Sequence, residues 1–141
     1  MKRSFFVLAA VVAAEVALAE AKVARSLSLT VSLDPANKGA VTRLVGADGF
    51  DYVARPTHLC EFSLTRKEDF NKVLRLTSRD AAKVEIAEEP DGLRATFSGF
   101  PEAIDTAVVT VRGDDRLRWR FDVKTKDGWV LEKGTCPRVI L

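Results

Sequence analysis

Apolar and polar residues alternate along much of this chain, a period of two that is typical of β-strands with one buried face. In residues 26–33, leucine or valine occupies every second position, with serine and threonine between them. Residues 40–45 and 57–65 predict further strands, and residues 34–39 and 46–49 consist of turn-forming types. The inward-facing positions predicted for the first strand are Leu27, Leu29, Val31 and Leu33.

Residues 66–82 are ambiguous between helix and strand. Thr65 and Glu68 have the spacing of a helix capping box, and the apolar residues between positions 70 and 74 recur at helical spacing. Residues 73–78 fit a short strand equally well. We predict one turn of helix or an irregular loop here, followed by a brief strand.

A first hairpin is predicted within residues 83–99. A four-residue loop, Glu89-Pro90-Asp91-Gly92, would pair position 88 with 93, 86 with 95 and 84 with 97. A two-residue Asp-Gly loop would instead pair 88 with 95. Pro at the second loop position and Gly at the fourth favour the longer type I turn.

A second hairpin is predicted within residues 116–134. A three-residue loop at 126–128 pairs position 123 with 131, and so places Trp129 and Leu131 on the buried face with Val123. A two-residue loop would leave Leu131 among lysines. The longer loop predicts a left-handed backbone at Gly128.

These patterns define the fold class. About eight to ten short strands, with turn signals every ten residues or so and no long amphipathic helix, predict an all-β fold, an antiparallel β-sandwich. The chain of 141 residues fits one such domain.

The N-terminus has the pattern of a secretory signal. Lys2 and Arg3 precede a short apolar run, residues 5–14, and small residues at 17–19 predict cleavage after Ala19. Residues 1–19 would then form a signal-peptide helix and residues 20–141 the β-sandwich, secreted or periplasmic, without a membrane span after cleavage. Glu15 weakens insertion, which leaves an uncleaved anchor as the alternative.

Charge gives no reason to expect nucleic acid as a partner. The full chain carries a formal net charge of +2, and removing Lys2, Arg3 and Glu15 leaves +1. Nucleic-acid binding depends largely on basic surfaces that neutralise phosphates, and this balance does not supply one.

The two cysteines have two interpretations. In an oxidising compartment Cys60 and Cys136 could form a disulfide that closes a long loop. Both also lie in apolar, strand-like runs, where an unpaired cysteine behaves as a small hydrophobic residue.

No catalytic or metal site is predicted. His58 is the only histidine, and the pattern favours a surface position or a satisfied hydrogen-bonding role on a strand. A zinc site needs three or four nitrogen or sulfur ligands, which the chain does not supply, and no cofactor motif is present. The acidic pairs at 88–89 and 114–115 lie at predicted turns, where carboxylates are usually solvated.

The basic face of residues 116–124 is the strongest candidate for binding. Arg116, Arg118 and Arg120 lie on the side opposite Trp119, and guanidinium groups suit the carboxylate and sulfate groups of an acidic polysaccharide. A solvated sheet face and a surface that docks another domain are the alternatives. Trp129, at a hairpin tip, is either a sugar-stacking platform or part of the core rim.

Two stretches resemble a known family. "NKGAVTRLVGADGFDYV" (37–53) and "GWVLEKGTCPRVIL" (128–141) are similar to galactose-mutarotase-like β-sandwiches, which precede the catalytic barrel in many large secreted bacterial glycoside hydrolases. The resemblance implies a non-catalytic accessory domain that packs on a catalytic domain or binds glycan weakly, with the catalytic acids in a barrel beyond Leu141. The alternative is a free-standing exported β-sandwich with a structural or adhesive role and no carbohydrate ligand.

Overall fold

The fold is known from a computed structural model that describes residues 20–140; the predicted signal segment, residues 1–19, and Leu141 lie outside the described residues. Residues 20–140 form ten strands and two short 3₁₀ helices, and contain no helix with the length and apolar character needed to span a membrane. The strands are β1 (Lys22–Arg25), β2 (Leu29–Asp34), β3 (Ala40–Gly46), β4 (Glu61–Arg66), β5 (Asp69–Thr77), β6 (Lys83–Glu89), β7 (Gly92–Ser98), β8 (Ile104–Gly113), β9 (Leu117–Thr125) and β10 (Trp129–Thr135).

The strands form three antiparallel sheets. The largest has the order β6-β7-β8-β9, and two three-stranded sheets have the orders β1-β2-β3 and β10-β4-β5. The 3₁₀ helices, Pro35–Asn37 and Ser78–Asp80, follow β2 and β5. The predicted all-β antiparallel fold is therefore confirmed, and ten strands agree with the predicted number.

Both three-stranded sheets pack over one face of the four-stranded sheet. Phe97 on β7 lies against Gly39, where an added β-carbon would be 3.2 Å from the ring. Phe121 on β9 packs against Phe62 on β4, with ring centroids 6.0 Å apart. One core results, in a sandwich-like arrangement, and its largest fully buried side chains include Phe62, Phe97, Leu33, Leu59, Leu64, Leu93 and Ile104.

The register predicted for the first hairpin is confirmed. In β6 and β7, Glu88 pairs with Leu93, as the four-residue loop requires, and positions 86 and 84 pair with 95 and 97. Glu89 also pairs with Gly92, so Pro90-Asp91 alone forms the turn. Gly92 is required by packing, because a β-carbon there would overlap the Val111 carbonyl oxygen.

The second predicted hairpin is half right. The three-residue turn exists: the Trp129 N–H donates to the Lys126 carbonyl at 3.2 Å, and Gly128 has a φ of +84°. The predicted pairing of β9 with β10 is wrong, because β9 pairs with β8 and β10 pairs with β4. The turn instead carries the chain from one layer to the other. Trp129 and Leu131 still pack against the core, now from the opposite sheet.

Of the two alternatives predicted after Thr65, the turn of helix is wrong, and the predicted brief strand is part of a longer one. The chain makes a tight turn and returns as the continuous strand β5, antiparallel to β4. A capping box does form, but between Thr77 and Asp80 at the second 3₁₀ helix. Phe70 and Val73, which suggested a helix face, are 61% and 54% exposed, so their spacing does not mark a buried side.

The first strand begins later than predicted. Leu27 is 81% exposed rather than inward-facing, because it lies in the turn between β1 and β2. Ser26 Oγ accepts hydrogen bonds from the N–H groups of Ser28 and Leu29, which fixes that turn. The short strand β1 was not predicted from the sequence.

Candidate functional site

The predicted arginine row lies partly on the outer face of the four-stranded sheet. Arg118 and Arg120 are exposed on β9, while Trp119 and Phe121 point to the other side and are half-buried. Arg116 is exposed in the turn before β9. The alternation therefore predicted the two faces of β9 correctly, although Trp119 is less buried than a core residue.

Two further arginines join this face through the sheet register. Arg112 on β8 pairs directly with Arg118, and Arg94 on β7 lies two strands from Arg120, across Thr110. Directly paired residues share a face of the sheet. The sequence analysis missed Arg94 and Arg112. Their polar positions in β7 and β8 were visible, but only the pairing of three strands brings them to this surface.

These side chains enclose a shallow groove of about 320 Å³, here called the arginine groove. Trp119 also borders the groove, although its side chain packs on the core side of β9, and Arg116 is not among the lining residues. The lining consists of Arg94, Val108, Thr110, Arg112, Arg118, Trp119, Arg120 and Asp122.

Each guanidinium of the arginine groove has a carboxylate partner. The Nε atoms of Arg94 and Arg120 lie 2.7 Å from Glu89 and 3.0 Å from Asp122. Arg118 Nε lies 3.1 Å from Asp114, with its Nη2 3.6 Å from Asp115, and Arg112 Nε lies 3.7 Å from Asp91. Exposed pairs of this kind add little stability, but they hold the guanidinium planes in place.

The pKa of Asp114 reflects this charge pairing. A hydrogen bond shared with Asp115, the backbone N–H of Arg116 and the guanidinium of Arg118 together lower the pKa of Asp114 to about 2. Asp114 is therefore ionised at neutral pH and acts as a hydrogen-bond acceptor at the edge of the groove.

Trp129 occupies a different place. It lies at the start of β10, packed against the core, and the guanidinium carbon of Arg66 stands 4.7 Å from the ring centroid. This cation–π contact covers one face of the indole. A sugar stacking on that face would have to displace Arg66.

The two cysteines and the single histidine lie close together next to the start of β4. Cys60 and Cys136 form a disulfide, with Cα atoms 4.6 Å apart, so Cys60 is not a free nucleophile. Arg138 Nη1 donates to His58 Nε2 at 2.8 Å and lies 2.7 Å from Glu61 Oε1. His58 is thus a half-buried, hydrogen-bonded residue of the segment before β4 and not part of a Cys–His pair.

Within residues 20–140, no group of three or more His, Cys, Asp or Glu side chains is placed to hold a metal ion. Comparison with protein-family models, curated proteins and solved structures found no match to this chain. Its described part is an all-β protein with sandwich-like antiparallel sheets and an arginine-lined groove on an outer face.

Proposed function

We propose that this chain is a non-catalytic accessory module of a secreted carbohydrate-active enzyme, and that it binds glycan weakly in the arginine groove. The observation that carries the proposal is the composition of that groove. Four guanidinium groups, the Thr110 hydroxyl and the Asp122 carboxylate line one shallow depression together with the apolar side chain of Val108. Sugars require this combination of hydrogen-bond donors, acceptors and apolar surface.

The ion pairs refine the class of glycan. Four arginines face five carboxylates, so the groove and its edge carry no excess of positive charge. A polyanion would have to compete with carboxylates already bound to the guanidinium groups. Neutral hydroxyl groups can use the remaining guanidinium N–H donors and the adjacent carboxylate acceptors without breaking a pair. The groove therefore favours neutral sugars over an acidic polysaccharide.

Affinity electrophoresis tests this proposal. The protein would be run through native gels containing dextran, xyloglucan or galactomannan, each soluble and uncharged. We expect one or more of these to retard the wild type, and Arg120→Ala to abolish the retardation. Arg116→Ala is the matched control, since it removes the same charge four residues away, outside the groove. Unchanged retardation of Arg120→Ala, or migration of the wild type that no neutral polysaccharide alters, would refute it.

Trp129→Ala separates the arginine groove from the alternative sugar platform. If the groove is the site, Trp129→Ala retains binding, whereas loss of binding in this variant together with full binding by Arg120→Ala would move the site to the Arg66–Trp129 pair.

Export is part of the same proposal. The Cys60–Cys136 disulfide supports it, because such bonds persist in oxidising compartments. Expression of the full chain in a bacterium, followed by N-terminal sequencing of the periplasmic product, should give a sequence that starts at Glu20. An intact N-terminus in the membrane fraction would favour the uncleaved anchor.

A second role is favoured by exposed apolar side chains. Phe50 and Tyr52 pack edge to face, with centroids 5.0 Å apart, yet remain 61% and 40% exposed. Such a pair suits packing on a neighbouring catalytic domain. Phe50→Ser tests this role. If the chain packs on a catalytic domain, the substitution should weaken that contact, whereas in a free-standing structural or adhesive protein it should leave solubility unchanged or improve it.

A further inference from the structure

Unpaired positive charge lies on a surface other than the arginine groove. It belongs to the outer face of the β10-β4-β5 sheet, where Lys133 pairs with Ser63 and Ser63 pairs with Arg75. These residues therefore form a row across three strands. The two cationic residues are two strand spacings apart at the backbone, about 10 Å, a distance that their long side chains can close around a single group.

The row lies in a groove of about 350 Å³, here called the lysine–arginine groove. Its polar lining also includes the hydroxyls of Ser63, Thr77 and Thr135 and the carboxylate of Glu61. The hydroxyl of Thr77 donates to Asp80 in the capping box, and the hydroxyl of Thr65 donates to Glu132. Among the described residues, the hydroxyls of Ser63 and Thr135 therefore remain available as hydrogen-bond donors to a ligand.

The ion pairs of this sheet leave the two cations free. Within residues 20–140 they involve Arg66, Lys72 and Arg138, and neither Arg75 nor Lys133 has a carboxylate partner. Glu61, the acidic residue that lines the groove, already forms an ion pair with Arg138, whose Nη1 lies 2.7 Å from Glu61 Oε1. Its charge is thereby directed away from the cations of the groove.

We propose that the lysine–arginine groove binds an oxyanion group, a carboxylate or a sulfate ester, carried by an acidic polysaccharide. Arg75 would supply a planar pair of N–H donors, Lys133 a point charge, and Ser63 a hydroxyl between them. This surface is separate from the arginine groove and made of different residues. The inference therefore stands or falls independently of neutral-sugar binding there.

Four probes distinguish the sources of the anion. The full-length mature protein would be titrated by isothermal calorimetry at low ionic strength with polygalacturonate, dextran sulfate, neutral dextran and inorganic sulfate. We expect binding to at least one of the two charged polymers, weakening as salt is added. The affinity for inorganic sulfate is compared with that for the polymers, each calculated per charged group. If the two affinities are equal, the groove binds the free ion, and the polysaccharide part of the proposal is wrong.

Three variants locate the site. Arg75→Gln and Lys133→Gln should each raise the Kd for the bound polymer by about tenfold or more, the loss expected for a charge-assisted hydrogen bond. Lys72→Gln is the matched control, because it removes one charge from the same strand, β5, outside the groove. We expect it to change the Kd by less than about twofold.

The contradicting results are distinct from those of the neutral-sugar test. An equal loss in all three variants would mean that general charge attraction, not this groove, holds the polymer. Failure of the wild type to bind either charged polymer would overturn the inference, whatever neutral dextran does. Circular dichroism of each variant confirms the fold, and all three substitutions are at exposed positions.

Discussion

Removing the disulfide should cost this protein much of its stability. The bond joins the residue before β4 to the residue after β10, 76 positions along the chain. On the chain-entropy relation, a loop of this length reduces the entropy of the unfolded chain by about 15 cal/mol/K, or about 4.5 kcal/mol at 25 °C. Folded domains of this size are stable by only about 5–15 kcal/mol.

The folded state should survive locally without the bond. β10 remains paired to β4, with Thr135 opposite Glu61, and Arg138 still donates its backbone N–H to the Leu59 carbonyl at 2.8 Å. The main effect of breaking the bond is therefore on the unfolded chain. Two forms of the protein separate the effect on the unfolded chain from the effect on packing. The reduced wild type keeps both sulfur atoms, whereas the double variant Cys60→Ala/Cys136→Ala also removes a buried sulfur.

Urea denaturation at neutral pH gives the measurement. The oxidised protein should show no free thiol when unfolded. Reduction should lower the free energy of unfolding by about 4 kcal/mol and raise m, because the unfolded chain exposes more surface without the cross-link. The double variant should lose at least as much. Two free thiols in the oxidised protein, or a loss below about 1 kcal/mol on reduction, would show that the bond does not constrain the chain as the structure indicates.

Three further predictions test individual features of the structure. Gly128→Ala should lower the free energy of unfolding, measured by urea denaturation, by about 1 kcal/mol. The backbone φ of +84° is strained for alanine, while the space around the new methyl is open. No change in stability would contradict the turn. Phe97→Ala should cost about 3–5 kcal/mol in the same assay, and the half-buried Trp119→Ala clearly less; the reverse order would contradict the packing. NMR titration of Asp114 should give a pKa of about 2, so its contribution to stability, present above about pH 4, is lost as the pH falls through 2. Arg118→Gln should raise that pKa, and an unchanged value would show that the ion pair does not form in solution.

Local chemistry explains what could be predicted from the sequence. The β6–β7 register follows from residues adjacent in the chain: Pro90 restricts the turn, and the apolar positions on either side must reach the same face. The left-handed Gly128 followed from the turn in the same way. The two faces of β9 followed from its period of two, because a strand that lies on a core must bury every second residue.

Choice of partner explains what could not be predicted. A period of two is the same whether β9 and β10 pair with each other or face each other across the core, because in both cases Trp129 and Leu131 point inward. The two arrangements differ only in which strands complete the backbone hydrogen bonds of β9 and β10. In the structure these are β8 and β4, which are distant in sequence. Leu27 was misassigned for a related reason: its polar neighbours belong to a serine-stabilised turn rather than to the outer face of a strand.

The same dependence on partners decides how a charged surface behaves. Arg118 and Arg120 are close in sequence and so appear to form a cationic strip, but each pairs with a carboxylate nearby in the chain, Asp114 and Asp122 respectively. Arg75 and Lys133 lie in separate segments and form no visible pattern in the sequence. β4 nevertheless places them in one row, where neither has an acidic partner among residues 20–140. Coulombic attraction depends on the sum of nearby charges, so a run of arginines locates a polar face without defining its ligand. An acidic ligand should therefore distinguish the two surfaces by their pairing, and bind where the cations are fewer but free.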